Sequence, residues 1–314
     1  MTRSFEKIKY EDYEAVIDLD RGGNCISLRK GTLRILREPY YVSDPSDYTG
    51  GELDNPYLYG MPILFPVNRI SGGSFEFEGR EYRFPINEPD TNCHLHGILH
   101  ETSFKLIRKE TDMILCRYEA TADSPYLDFC HSFIIDIEYR LSGDGFTHTT
   151  CIKNTSNNNM PVMIGFHTTF NTLFASGKRE ETLVYADISE EYERNMNNYL
   201  PTGNIPEFDD VSDSLAKGTF NPFSRDISKH FKASLGGRMA IYDKSNKLSM
   251  IYENDEKYSF RLIFNRGEFI CLEPQNCMAD CANSSFGRDK TGFDFIAPGK
   301  AKTYKSRIYI KEEI

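Results

Sequence analysis

Pairs of short alternating segments, joined by a few turn residues, constrain this chain more than any other feature. In SFEFEGREYRF, Phe75 and Phe77 alternate with polar residues, a Glu-Gly-Arg turn intervenes, and Tyr82 and Phe84 resume the alternation. Phe133, Ile135, Ile137, Tyr139 and Leu141 repeat the pattern before Gly143-Asp144-Gly145, after which Phe146, His148, Thr150 and Ile152 share one face. A third pair brackets Asp243-Lys-Ser-Asn246, with Met239 and Ile241 before it and Leu248, Met250 and Tyr252 after it. A period of two belongs to half-buried strands, and tight turns join antiparallel neighbours. No internal repeat at a solenoid or propeller period interrupts this pattern. It predicts an all-β protein, one large antiparallel domain over residues 1–314 built as a sandwich or a barrel.

Helical signals are scarce. The best is DISEEYERNMNNYL, where Asp187 can cap, Glu190 follows three residues on, and Ile188, Tyr192, Met196 and Tyr199 form one stripe, so a helix with a packing face is expected over 187–200. Residues 201–230 are polar and rich in Pro, Gly, Ser and Asp, and read as a long loop of the kind that often carries function.

With 22 Phe and 19 Tyr there is material for a core and for an aromatic-walled pocket. A net charge of −10 without a basic cluster argues against nucleic acid. The charged first twenty residues lack an apolar signal region and no run is long enough to span a bilayer, so the expectation is a soluble cytoplasmic protein without a membrane partner. Eight scattered cysteines contain no CxxC pair, and Cys277-Met-Ala-Asp-Cys281 has no second half with zinc-ligand spacing, so free thiols are expected. Dinucleotide-binding, P-loop and GxSxG fingerprints are absent.

The chemistry-bearing residues gather in four stretches. NCHLHGILHE places His94, His96, His100 and Glu101 within ten residues of a chain with seven histidines. On a strand His94 and His96 point to one face, which suits metal ligation, the lining of a groove, or satisfied core histidines. The spacing His-x-His-x4-Glu also resembles the first motif of cupin metal sites, although Glu88 stands where that motif has glycine. His167 ends an apolar run in PVMIGFHTTFN and is read either as a core histidine or as a catalyst. Glu273 follows Phe269 and Cys271 on one face of GEFICLEP; burial there raises a carboxyl pKa toward that of a useful general base, whereas a strand end in solvent leaves it ordinary. Arg69 closes an apolar strand in GMPILFPVNRISGG, as an edge cap or as a donor to substrate oxygens.

Taken in order, GMPILFPVNRISGG, NCHLHG, GFHTTFN and LEPQNCMADCANS resemble signatures of the aldose 1-epimerase (galactose mutarotase) family, and the likeness runs from about residue 13 to the last strand, TYKSRIYI. The resemblance implies a large antiparallel β-sandwich that interconverts α and β anomers of an aldose without metal or cofactor. It makes Glu273 the general base at the anomeric hydroxyl, His167 the general acid at the ring oxygen, and His96 a hydrogen-bonding group beside that oxygen. Arg69, Asn68, His94, Asn171, Gln275 and Ser228 become sugar-binding residues, and the partner is a monosaccharide or sugar derivative.

One departure bears on the substrate. Members that bind galactose or glucose usually carry Asp in an Asp-x-x-Phe segment, and the matching stretch here is Ser228-Lys-His-Phe231. Lys229 or His230 in that stretch would suit an anionic sugar, or both are plain loop residues. A sugar-binding relative without turnover and a cupin-like metal enzyme are the alternative readings.

Overall fold

The computed structural model describes residues 4–39, 55–234 and 236–312. Its largest sheet has eight strands, ordered Lys105–Lys109, Met113–Ala120, Phe133–Ser142, Gly145–Asn154, Ala301–Glu312, Leu248–Asn254, Arg238–Asp243 and Thr182–Ala186. The expected hairpins are all present: Phe133 opposes Asn154, Met239 opposes Tyr252, and Phe75 opposes Tyr82 in a small two-stranded sheet. Within each hairpin the apolar alternants go inward, because a one-residue slip would send all of them to solvent. Phe75, Phe77 and Tyr82 are buried accordingly.

A seven-stranded sheet carries Ser228 and Glu273. Its order is Ile188–Glu191, Ser228–Ala233, Phe260–Arg266, Phe269–Gln275, Gly165–Phe166 and Ile63–Leu64, with Thr169–Asn171 also paired to Phe269–Gln275. The two large sheets pack face to face. His148 of the first meets Phe166 of the second edge-on at 4.3 Å, and Tyr252 meets Phe170 at 5.4 Å while its hydroxyl bonds the Thr168 hydroxyl at 3.1 Å. The architecture is the antiparallel β-sandwich. Among the described residues no helix is long and apolar enough to cross a membrane.

The helix expected over 187–200 does not form. Ile188–Glu191 is instead an edge strand against Ser228–Ala233, and the Asp187 carboxylate accepts the backbone N–H of Arg238 at 3.0 Å in place of capping. Long-range pairing outweighed a weak local preference. The longer of the two α-helices among the described residues, Asp210–Lys217, lies inside the segment read as loop. Asp209 caps it by accepting from the Ser212 N–H at 2.9 Å, Gly218 ends it at φ 70°, and Val211 and Leu215 are buried against the sheet. With eight residues and mostly polar composition, it offers too short a stripe to stand out. The eight cysteines are unbridged, six of them buried.

Burial has one uniform electrostatic result. All seven histidines have their pKa pushed down from 6.5, chiefly by desolvation: His148 and His230 to about 3, His100, His131 and His167 to about 4, with His94 and His96 also lowered. Such groups are neutral when folded and protonated when unfolded below pH 6.5, so the unfolded chain binds more protons and stability falls as pH falls through that window. Glu273, with its pKa raised to about 8, acts in the opposite direction but is a single group. The urea midpoint is therefore expected to drop steeply between pH 7 and 5, and His148→Gln should remove about one proton from that slope. A midpoint level down to pH 5 would contradict neutral burial of the set.

Candidate active site

The strand Phe269–Gln275 builds the floor. Ile270 and Leu272 face the inter-sheet core, so Cys271, Glu273 and Gln275 face the other way. There Glu273 lies in the wall of a cavity of about 420 Å³, which His167, His96, Arg69, Arg194 and Ser228 also line. The carboxyl is buried, with its side chain 1% exposed, and is not a strand end in solvent. Burial pushes its pKa up to about 8, against the opposing pull of the Gln275 hydrogen bond and of the Arg194 and Arg69 charges.

Each oxygen of that carboxyl has its own neighbour. Gln275 Nε2 donates to Oε2 at 3.1 Å, and Gln275 Oε1 in turn accepts from Asn68 Nδ2 at 3.1 Å. Oε1 lies 3.3 Å from His167 Nε2. The His167 side chain is only 11% exposed, and burial lowers its pKa to about 4. Between those two values the pair holds one proton in total, whichever member carries it.

His96 enters through a backbone reversal. The strand Cys93–Leu95 ends just before it, His96 has φ 63° and Gly97 φ 64°. A Cβ at Gly97 would stand 1.9 Å from the Phe65 carbonyl oxygen, so only glycine fits this turn. Asn68 and His96 clamp each other: the His96 N–H donates to the Asn68 carbonyl at 3.1 Å, and the Asn68 N–H donates to His96 Nδ1 at 3.1 Å. With Nδ1 accepting, the neutral ring carries its proton on Nε2 and is a donor. Tyr57 packs on the rings of His96, His100 and His167 with centroids 4.9, 4.6 and 5.9 Å away.

The same reversal separates His94 from His96. His94 turns away, fully buried, with Nδ1 2.7 Å from the Pro85 carbonyl and its ring on Phe84, so it does not line the cavity and is not positioned to orient His96. Asn171 is also elsewhere: its amide donates to the carbonyls of Arg34 and Leu36 at 2.8 Å each. Lys229 is ion-paired with Glu191 at 2.7 Å and Asp209 at 2.9 Å, and His230 is buried and neutral, so neither offers charge to a sugar. The His94, His96 and Glu101 set does not converge. Among the described residues the group close enough to hold a metal ion is His167, Cys271 and Glu273, with ligand atoms within 4.8 Å of one another.

Arg69 is where the sequence puts it, at the cavity wall, with Nε and Nη2 each 2.6 Å from a Glu88 oxygen, so Nη1 is the nitrogen left to a ligand. Among the lining residues that escaped sequence reading are Tyr57, Glu88, Arg194 and Arg266. The aromatic run Tyr57-Leu-Tyr59 before the strand was a usable signal for the first. Glu88 gave none except as a mismatch to another motif, and Arg194 lay in the stretch read as a helix. Arg194 donates from Nη2 to the Ser228 carbonyl at 2.8 Å and to the Ser228 hydroxyl at 2.9 Å.

Comparison with known proteins bears on the fold and the family. The chain shares its fold with a galactose mutarotase-like protein from Clostridium acetobutylicum, at 25% identity, 99% coverage of both chains and a TM-score of 0.88. An aldose epimerase homologue from C. elegans is similar at 13% identity over the whole of both chains, TM-score 0.77. A galactose 1-epimerase from Lactobacillus acidophilus is similar at 12% identity, again over the whole of both chains, TM-score 0.69. The sequence profile of the Aldose 1-epimerase family matches residues 9–308, and the chain belongs to that family.

Proposed function

We propose that the protein, acting as one domain, interconverts the α and β anomers of an aldose, with Glu273 and His167 as the proton-transferring pair. The observation that carries this reading is their 3.3 Å approach inside a buried wall of the cavity, with one proton between them across neutral pH.

Opening a cyclic hemiacetal removes the proton from O1 and delivers one to the ring oxygen, and both oxygens are attached to C1. Two groups this close reach both without rearrangement. Glu273 accepts the O1 proton as the O1–C1 bond becomes a carbonyl, the C1–O5 bond breaks, and His167 protonates O5. Rotation about C1–C2 and the reverse transfers close the ring on its other face. Each transfer contributes on the order of 10² to 10⁴ in rate.

The order of the pKa values puts the proton on Glu273 in the empty site, whereas the reaction starts from carboxylate and imidazolium. A bound sugar supplies what the buried carboxylate lacks, a donor from O1–H, and gives the imidazolium an acceptor at O5. Arg194 and Arg69 also favour the ionised carboxyl. His96 presents Nε2–H to charge developing at the ring oxygen. Gln275, itself held by Asn68, fixes the carboxyl plane.

The activity should depend on pH through both ends of the one-proton window. Below about 4 the pair gains a second proton and has no base; above about 8 it loses its only one and has no acid. kcat/KM, measured by exchange NMR with the spontaneous rate subtracted, should be flat between these limits and fall outside them. Turnover still rising at pH 10 would rule out the pair.

Glu273→Gln should lower kcat by roughly 10²- to 10⁴-fold while sugar affinity changes by only a few-fold, because the amide keeps the shape but cannot take a proton. His167→Asn should show a comparable fall. His96→Asn should lose less, since its donor stabilises charge without transferring the proton; a greater loss there than in His167→Asn would reverse the two histidine roles.

A further inference from the structure

Arg194 is a buried cation that the proposed reaction does not consume. It is 8% exposed and lines the cavity with the Tyr199 ring 5.7 Å from its Cζ, yet among its nitrogens only Nη2 makes hydrogen bonds, to the two Ser228 oxygens, so Nε and Nη1 remain as donors. Among the described residues no carboxylate forms an ion pair with it. Burial and the charge of Arg69 lower its pKa to about 10, the mark of a guanidinium short of compensation. Among the described residues, the other charges lining the cavity are each matched. Arg69 is matched by Glu88, the Glu273–His167 pair with its one proton is neutral, and Arg266 reaches Asp226 at 3.6 Å. Behind Arg194, Glu191 and Asp209 are held by Lys229.

The position of this surplus charge is specific. Ser228 opposes Phe264, which opposes Cys271, so Arg194 is anchored two strands from the catalytic strand, about 10 Å away in the plane of the sheet. That is the end of a sugar ring remote from C1 when C1 sits at Glu273. A second hollow of about 270 Å³ shares Arg194, Met196 and Ser228 with the main cavity, leaving room for a substituent beyond the ring.

We propose that Arg194 receives an anionic group on the substrate, which is a monosaccharide bearing a phosphate or carboxylate at the end of the ring away from C1. This rests on the anomer-interconversion reading for the placement of C1. A neutral hydroxyl leaves the guanidinium uncompensated, whereas an anion forms charge-assisted hydrogen bonds about twice as strong as neutral ones.

The test compares glucose, glucose 6-phosphate and glucuronate by exchange NMR and by calorimetric binding, in wild type, Arg194→Gln and Arg194→Lys. The expectation is that glucose 6-phosphate or glucuronate exceeds glucose in kcat/KM by at least about tenfold, and that Arg194→Gln cuts this anionic-to-neutral ratio by roughly ten- to a hundredfold. Arg194→Lys should restore part of it, which a variant damaged only in folding would not show. Preference between the two anionic sugars tells phosphate from carboxylate. Equal or better handling of glucose by the wild type, or a ratio indifferent to Arg194→Gln, overturns the proposal. If no sugar exchanges anomers, the reaction reading fails by itself; Arg194-dependent binding of either anionic sugar would still uphold this subsite, and binding indifferent to the substitution would overturn it.

Discussion

Everything chemical in this molecule depends on a carboxyl group held out of water in the middle of a sheet face. Glu273 sits between Cys271 and Gln275, on a strand whose alternate residues, Ile270 and Leu272, belong to the core between the sheets. The strand cannot shift register without moving those residues into the cavity and the polar set into the core. The carboxyl is thereby fixed by the same hydrophobic pattern that holds the sandwich together. Its desolvation is offset only in part by Gln275 and by the field of two arginines, which leaves a group able to exchange its proton near neutral pH.

Around that floor, Asn68 and His96 enter the cavity from irregular chain, not from a regular strand. Asn68, His96 and Gly97 all have positive φ, and the reciprocal hydrogen bonds between Asn68 and His96 replace the ladder that a continuing strand would make. The consequence is positional accuracy from loops. Asn68 has its backbone committed to His96 and its side chain committed to Gln275, so the Nε2–H of His96 and the plane of the Glu273 carboxyl are set by one residue. The two arginines at the cavity are held differently. Arg69 stands on a strand with its fork on Glu88, while Arg194 comes from the segment after an edge strand and is anchored by Ser228.

How much of this could be read in advance follows from the range of each signal. The hairpins were legible because strand period and turn chemistry are local, and Phe75, Phe77, Tyr82 and Phe84 sit as the alternation required. The placement of Glu273, His167, His96 and Arg69 around one cavity followed from four short motifs in order, and the family assignment agrees. What failed was each inference that extended a local rule past a left-handed residue or against a long-range pairing. Strand alternation put His94 beside His96, but the turn at His96 and Gly97 breaks the period. The stripe from Ile188 to Tyr199 has helical spacing, yet pairing with Ser228–Ala233 claims its first turn. Of the two readings of Lys229, the sugar-facing charge fails for the same reason: Lys229 is adjacent to Ser228 in sequence, but strand alternation sends it to Glu191 and Asp209, and the cation bonded to Ser228 at the cavity is Arg194, 34 positions away.

Stability and chemistry share one cause and so limit one another. The burial that holds His148 and His230 neutral within the fold also lowers His167 at the cavity, and desolvation is the largest contribution in each case. Acid therefore acts on the fold and on the reaction through the same kind of group. It protonates the unfolded chain's histidines from pH 6.5 downward, and only near pH 4 does it add the second proton to the Glu273–His167 pair. Acid thus begins to act on the fold, through the buried histidines, at a higher pH than it acts on the Glu273–His167 pair, and a substitution such as His148→Gln, remote from the cavity, separates the first effect from the second.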